Sequence, residues 1–373
     1  MSVAAFTLKL VGFLYLQEQA QKYVKKMALL AVPQLLLLTL FSSGVFGVPR
    51  DRRSQSQVPA AEELSNSDVA IDFELYCIKY NKTYDLVEAL RRKAIFSENL
   101  LKIAQLNANK ENNVEYGMNE MTDLTYPEFM ATRANLKPEA LAFVRSLPVV
   151  EPAFATVQAS SKDWRSENKV TPIKNQGSCG SCYTFSTCVG VESGHAIKHG
   201  DLTSLSEQQL LDCDRQSSGC NGGWMPNSLD SIKAKGGLMS SSAYPYEGKQ
   251  RSCRFKSGSG VAQVSDYQQF TSKAENAIAD SVLASGPVIN AICATRDFQY
   301  YKSGIYKNTA CRCRGEVNHA VAIVGYGTDD KDGDYWIIKN SWGTSWGEKG
   351  YMRIKKGANI CSLSNYVWKV NVK

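Results

Sequence analysis

The sequence predicts an α+β chain: a helical N-terminal region, then a C-terminal region with a helical half followed by a sheet-rich half. Three observations carry this. Glu88, Arg92, Phe96, Asn99, Ile103 and Asn107 recur at spacings of three and four, which places them along one side of a helix. Cys182 to Lys198 can form a helix burying Phe185, Cys188 and Val189, and Ser206-Glu-Gln-Gln209 has the form of a capping box opening another. Past residue 260 the pattern shifts to strands, 317–326, 335–339 and 350–354, with glycines between them.

At the N-terminal end, Lys22, Lys25 and Lys26 precede an apolar run from Met27 to Phe41, and small residues lead to Gly47 before the charged stretch Arg50–Arg53. Basic flank, short apolar centre and small-residue exit read as a secretory signal, expected over residues 1–47. The run is short for a membrane span and Pro33 interrupts it, so no stable membrane insertion is expected once it is removed. The residues ahead of Met27 leave two readings, translation from Met27 or a signal-anchor; the cleaved signal is the preferred one.

Residues 50–68 are polar, and 108–118 are polar again after the helix. Gly117-Met-Asn-Glu-Met-Thr-Asp123 reads as a turn into a short element. Residues 131–157 lose all periodicity and carry Pro138, Pro148 and Pro152, which suits an extended, cleavable linker. From Trp164 onward the composition is that of a Cys-rich domain. Ten of the eleven cysteines lie after residue 178, which points to disulfides in an oxidising compartment. Residues 158–373 hold 26 basic and 19 acidic side chains, hence the whole net charge of +7. No Lys/Arg block is long enough to suggest nucleic-acid binding.

Gln176-Gly-Ser-Cys-Gly-Ser-Cys182-Tyr-Thr-Phe-Ser186 is the most informative string. Cys179 to Tyr183 matches at every position the pattern that surrounds a papain-type nucleophile. His319 follows Cys182 by 137 residues, inside the usual window of roughly 130–150, and Asn340 by 158, with the polar insert Thr328–Asp334 accounting for the excess. Four further strings agree: Ser206-Glu-Gln-Gln-Leu-Leu-Asp-Cys213, Gly219-Cys-Asn-Gly-Gly223, Val317-Asn-His-Ala-Val321 and Lys339-Asn-Ser-Trp-Gly343. On these the chain resembles the precursors of papain-like cysteine proteases, in the cathepsin L-like branch, over about residues 70–373.

The resemblance implies a two-domain papain-like fold, helical domain against a β-barrel-like domain with the active-site cleft between them, preceded by a helical inhibitory propeptide. It divides the chain into a signal (1–47), a propeptide (48–157, inhibitory helical part about 70–130, linker 131–157 with cleavage expected within 145–158) and a mature peptidase (158–373). It makes Cys182 the nucleophile, His319 the acid–base partner and Asn340 the group that orients His319, shielded by Trp342; Gln176 joins the Cys182 backbone N–H in the oxyanion hole.

Chemistry supports each role. Only a thiolate attacks carbonyls well, and Cys182 would open a helix whose N-terminal partial charge favours an anion. An imidazolium from His319 would favour it further, giving a coupled ion pair; in papain such pairing brings the thiol to about 3–4. Of the three histidines, His195 and His199 fall toward the end of the Cys182 helix, where solvated or capping roles suit them.

Gly222 and Gly223 resemble positions where a substrate backbone pairs along the cleft. Trp224, Met225, Ala291 and Ala320 align with the walls of an apolar second subsite, with Tyr366 a candidate floor, and Asn318 precedes the histidine where some relatives carry Asp. Disulfides implied are Cys179–Cys220, Cys213–Cys253, and Cys361 with either Cys311 or Cys313. Cys188 is expected as a buried thiol, and a bridge from Cys293 to the spare member of the 311/313 pair is left open.

The complete spacing from Glu88 to Asn107, and Gly117-x-Asn119-x-Met121-x-Asp123 with Met121 where relatives usually have Phe, resemble the inhibitory propeptide of that branch, which threads the cleft backwards. Protonating carboxylates such as Asp123 is expected to loosen it. Asn81-Lys-Thr83 is a glycosylation sequon. No large insert lies between Cys220 and Cys253, so no occluding loop is expected and the implied activity is that of an endopeptidase. Expected partners are protein and peptide substrates, the chain's own propeptide and cystatin-type inhibitors; a monomer is expected, as is a lysosomal or extracellular location, with no cofactor and no metal. Two rival readings are an inactive papain-fold binding protein, which would normally lack one of Gln176, Cys182, His319 or Asn340, and a thiol-redox or zinc protein built on Cys179-x-x-Cys182 and Cys311-x-Cys313.

Overall fold

Two helices cross at the start of the described chain, α1 (Asn66–Lys79) and α2 (Leu86–Ala108). The computed structural model describes residues 66–109, 113–137, 149–150, 160–270, 275–313 and 317–373. The expected signal and most of the expected linker lie outside them. Asp85 caps α2 by accepting from the Glu88 N–H, which fixes its start. The middle of the periodic side faces inward: Phe96, Asn99 and Ile103 are buried, and Phe96 packs on Phe73 and Tyr76 of α1 at ring separations of 5.5 and 4.7 Å. Polar members of the face hold the chain that follows. Asn99 Nδ2 donates to the carbonyls of Thr122 (2.7 Å) and Leu124 (2.9 Å), and Asn107 exchanges two bonds with the Tyr116 backbone, fixing β1 (Glu115–Tyr116). Helix α3 (Tyr126–Arg133) begins with a reciprocal capping box between Thr125 and Glu128. It carries the helical part past residue 130, and residues 134–137 then run without regular structure into the body of the protein.

That body is built from α4 (Cys182–His199), α5 (Glu207–Cys213) and α6 (Met225–Lys235) packed against a mainly antiparallel sheet. Its strands are β2 (Val149–Val150), β3 (Lys162–Asp163), β4 (Val264–Phe270), β5 (Val288–Ile292), β7 (Ile305–Tyr306), β8 (His319–Asp329), β9 (Gly333–Lys339), β10 (Tyr351–Lys355) and β11 (Val367–Val372), in the order β2-β4-β11-β5-β8-β9-β10-β7 with β3 on β8. Helix α7 (Glu275–Ser285) packs on β8 and β5. The short strand β6 (Tyr301–Ser303) pairs antiparallel with β1, so the N-terminal helical part is joined to the body through backbone bonds. The three strands expected after residue 260 match β8, β9 and β10 within three residues at either end. α4 approaches the sheet closely because Gly190 has no side chain: a Cβ there would sit 2.8 Å from Ile289 and 2.9 Å from Val370. Ser186 Oγ donates to the Val321 carbonyl at 2.6 Å and pins α4 to β8.

One expected local feature is made differently. Ser206 does accept from the Gln209 N–H, but Gln209 does not return the bond: its side chain donates to the Gly237 carbonyl, and the Ser206 N–H goes to Met239. The capping pair is thus half-formed because a neighbouring chain offers Gln209 a buried partner. Disulfides join Cys179–Cys220, Cys213–Cys253, Cys311–Cys361 and Cys293–Cys313, so the alternative left open for Cys361 falls to Cys311. Cys188 is a free, fully buried thiol.

Candidate active site

Cys182 is the first residue of α4, where helical N–H groups lack internal partners and favour negative charge. The turn before it is rigid. Cys179 is bridged to Cys220, and Ser181 shares a 2.7 Å hydrogen bond with the Tyr246 hydroxyl, which itself donates to the Gln176 carbonyl. Because Cys179 is committed to Cys220, the Cys-x-x-Cys string is not a dithiol pair; both cysteines of Cys311-x-Cys313 are bridged as well. Among the described residues no cluster of three His, Cys, Asp or Glu could hold a metal ion, and no helix is long and apolar enough to cross a membrane.

His319 opens β8, opposite Ile292 in β5. The helix–sheet contact brings the Cys182 thiol against the backbone N–H of Ala320, the residue after His319. His319 Nε2 and Asn340 Oδ1 lie 2.8 Å apart, and Trp342 stacks on the imidazole at 4.5 Å. Nδ1 is buried and has no hydrogen-bond partner, so the nitrogen on the far side of the ring from Asn340 is the one left to react. Asn340 Oδ1 also accepts from the Ser341 N–H at 2.8 Å, which fixes which end of its amide faces the ring. Gln176 lies beside this group, its Oε1 accepting from Ser341 Oγ at 2.8 Å and its Nε2 donating to the Cys179 carbonyl at 2.9 Å. The structure therefore brings all four expected residues to one place.

That place is covered. The carbonyls of Thr132 and Arg133 accept from Gln176 Nε2, the Arg133 carbonyl also accepts from Trp342 Nε1 at 3.2 Å, and the Asn135 N–H faces Cys182. Leu136 N–H donates to the Asn318 carbonyl at 2.8 Å, and Lys137 N–H to the Gly223 carbonyl at 3.2 Å. The side chain of Leu136 joins the cluster of Trp224, Met225, Ala291 and Ala320, against which Tyr366 packs. Gly222, at φ 104°, leaves room for the Asn135 carbonyl, which a Cβ would meet at 2.1 Å.

This cover changes the charge state expected from sequence. Burial pushes the Cys182 thiol up to about 12, against small opposing effects of backbone N–H groups. Burial likewise pulls His319 down to about 4, although its bond to Asn340 pulls the other way. In the covered form both groups are neutral rather than an ion pair, because the chain above them excludes the water that would solvate the charges.

Sequence reasoning missed two participants. Ser341, which orients both amides, stood in full view inside Lys339-Asn-Ser-Trp-Gly343. Leu136 carried only the faint signal of a lone apolar residue before Pro138.

Residues 158–370 match the family described as papain family cysteine protease, and residues 73–129 match the cathepsin propeptide inhibitor domain (I29). The chain belongs to the papain family of cysteine proteases. It is 40% identical over 302 residues to digestive cysteine proteinase 2 of Homarus americanus, covering 77% of this chain and 91% of that one. It is 38% identical to pro-cathepsin H of Bos taurus, covering 82% and 91%. Among solved structures it is similar to digestive procathepsin L 3 from the larval midgut of Tenebrio molitor, with TM-score 0.74, 38% identity, and 81% and 99% coverage. The protein is accordingly the zymogen of a cysteine peptidase, a hydrolase, and its propeptide is its own inhibitor.

Proposed function

We propose that the mature enzyme is an endopeptidase in which Cys182, His319, Asn340 and Gln176 do the chemistry. With the cover gone, the proton moves from Cys182 to His319. The thiolate sulfur attacks the peptide carbonyl carbon, and the carbonyl electrons move to oxygen, where Gln176 Nε2 and the Cys182 N–H stabilise the oxyanion. The His319 imidazolium protonates the amine as the C–N bond breaks. His319 then deprotonates a water, which attacks the thioester and releases acid product and thiolate. Asn340 keeps the ring in one tautomer and Trp342 keeps water from their bond. The observation that carries this reading is the 2.8 Å contact between His319 Nε2 and Asn340 on a ring whose Nδ1 is orphaned, one residue from the N–H that touches Cys182.

Gly223 and Asn318 would pair with the substrate backbone, as their carbonyls do with residues 136 and 137, and Gly222 would leave room for it, as it does for the Asn135 carbonyl. Leu136 among Trp224, Met225, Ala291 and Ala320 supports an apolar preference at the second subsite. The proposed processing scheme is signal 1–47, propeptide 48–157 and mature enzyme 158–373. Four disulfides among the described residues and the apolar leader support a secretory route to the lysosome or the cell exterior. The enzyme is proposed to act as a monomer and to bind cystatin-type inhibitors in the same cleft. Asn81 stands exposed between α1 and α2, a position open to glycosylation. The test is labelling of the activated enzyme with a thiol-directed epoxide: Cys182→Ala should abolish both label and peptide hydrolysis, and EDTA should change neither. Hydrolysis surviving Cys182→Ala, or label moving to Cys188, would overturn it.

A further inference from the structure

The Cys293–Cys313 bridge has no part in the chemistry above, yet it meets the cleft at Asn318. Cys293 directly follows β5 and is fully buried, and Cys313 sits in the chain leading to β8. Asn318 is gripped by the residue after Cys293: its Nδ2 donates to the Ala294 carbonyl at 3.0 Å, and its Oδ1 accepts from the Ala294 N–H at 2.7 Å. The same Nδ2 lies 3.2 Å from Cys313 Sγ. One half of the bridge thus anchors the partner of the Asn318 side chain, and the other half touches that side chain directly. The Asn318 carbonyl is the acceptor for Leu136 N–H on that wall of the cleft. His319, the next residue, is held separately by its ladder position opposite Ile292 and by Asn340.

We infer that the Cys293–Cys313 disulfide positions Asn318, setting substrate affinity while leaving the reacting groups untouched. The inference rests on Asn318 being a substrate-binding wall in the proposed function. Its signature is a split between KM and kcat that a bridge serving stability alone would not produce.

The test uses the full-length zymogen, activated and assayed on a peptide substrate. Cys293→Ser/Cys313→Ser should raise KM about tenfold with kcat within about twofold. Asn318→Ala, which keeps the carbonyl but loses the grip on Ala294, should raise KM comparably, and combining the changes should add little, because both act through one contact. Asn318→Asp, which keeps the acceptor and loses the donor, should fall between. If the double serine variant fails to fold, Cys313→Ala and the two Asn318 variants still decide the matter. Unchanged KM in the bridge variants with only a lowered Tm, or rises that multiply on combination, would overturn the inference. Failure of the broader reading looks different, since hydrolysis would then survive Cys182→Ala.

Discussion

Asn135 directs its backbone N–H at the Cys182 thiol, so the segment that follows the propeptide inhibitor domain reaches the expected nucleophile itself and not merely the cleft around it. The contact comes with burial of both Cys182 and His319, and burial disfavours each charged form. Inhibition therefore combines obstruction with removal of the thiolate.

A proton balance follows. Covered, the pair holds one proton, on sulfur; uncovered as an ion pair, it again holds one, on nitrogen. Release of the propeptide then takes up no proton at the pair in mild acid, and any acid sensitivity arises elsewhere. Removing the thiol breaks this balance. Full-length Cys182→Ala cannot process itself, and in it the burial that pulls His319 down to about 4 in the covered parent should be relieved on uncovering, returning the ring toward its ordinary 6.5. Between those values the open form binds more protons, so acid favours opening as pH falls from 6.5 to 4, by up to on the order of a hundredfold. Hydrogen exchange at residues 132–137 should show this slope, and Cys182→Ala/His319→Gln should lack it. The same slope in both variants would refute the argument.

Asp123 is the hub of the propeptide's own polar core. It is fully buried and accepts from the Tyr76 hydroxyl (2.9 Å), Lys82 Nζ (2.8 Å) and the Tyr84 hydroxyl. Asp123→Asn preserves shape but removes the charge facing Lys82 and turns an amide donor toward groups that already donate. The expected cost is roughly 2–3 kcal/mol of propeptide stability. The variant precursor should process itself at pH 7.5, where the parent stays latent; equal rates for the two would count against Asp123 as a lock.

Legibility in the sequence followed the range of the contacts. The shared side of α2 and the placement of Cys182 at the head of α4 could be read because each depends on neighbours within a few residues. The Gln209 bond to Gly237 could not, since it depends on a chain 28 residues away. Residues 135–137 grip the cleft mostly through backbone groups, which every residue carries, and the one side chain that adds to the grip, Leu136, is a lone apolar residue and so a faint signal. The neutral state of Cys182 and His319 under the cover was not legible for the same reason: their intrinsic chemistry is local, but the water they lose is excluded by a distant segment.

Glu128 gives a second acid response with a different window. Burial raises its carboxyl, but bonds from Arg92 and Arg91 outweigh burial and bring it from 4.5 to about 2. A carboxyl lowered in the folded state contributes stability in full above 4.5 and loses it as pH falls from 4.5 to 2. Glu128→Gln should therefore weaken the propeptide by about 1 kcal/mol above pH 4.5, where the cap and ion pairs of the parent are intact, and this deficit should shrink as pH falls below about 4.5. A changed slope between pH 5 and 7 would contradict this assignment.

Gly222 is where inhibitor and substrate should depend on the same absent side chain. Its φ of 104° is costly for any residue with a Cβ, and an added Cβ would lie 2.1 Å from the Asn135 carbonyl. Gly222→Ala should strain the backbone by roughly 1–3 kcal/mol and push residues 135–137 away from the wall, prising Leu136 from its cluster. The precursor should then leak activity at neutral pH. In the activated enzyme the same change should raise KM for peptides, because their backbone must pass the same point, while kcat falls less since Cys182 and His319 lie on other elements. Kinetics before and after activation check both halves: a variant that loosens the precursor yet binds peptides normally would show that substrate and propeptide take different paths through the cleft.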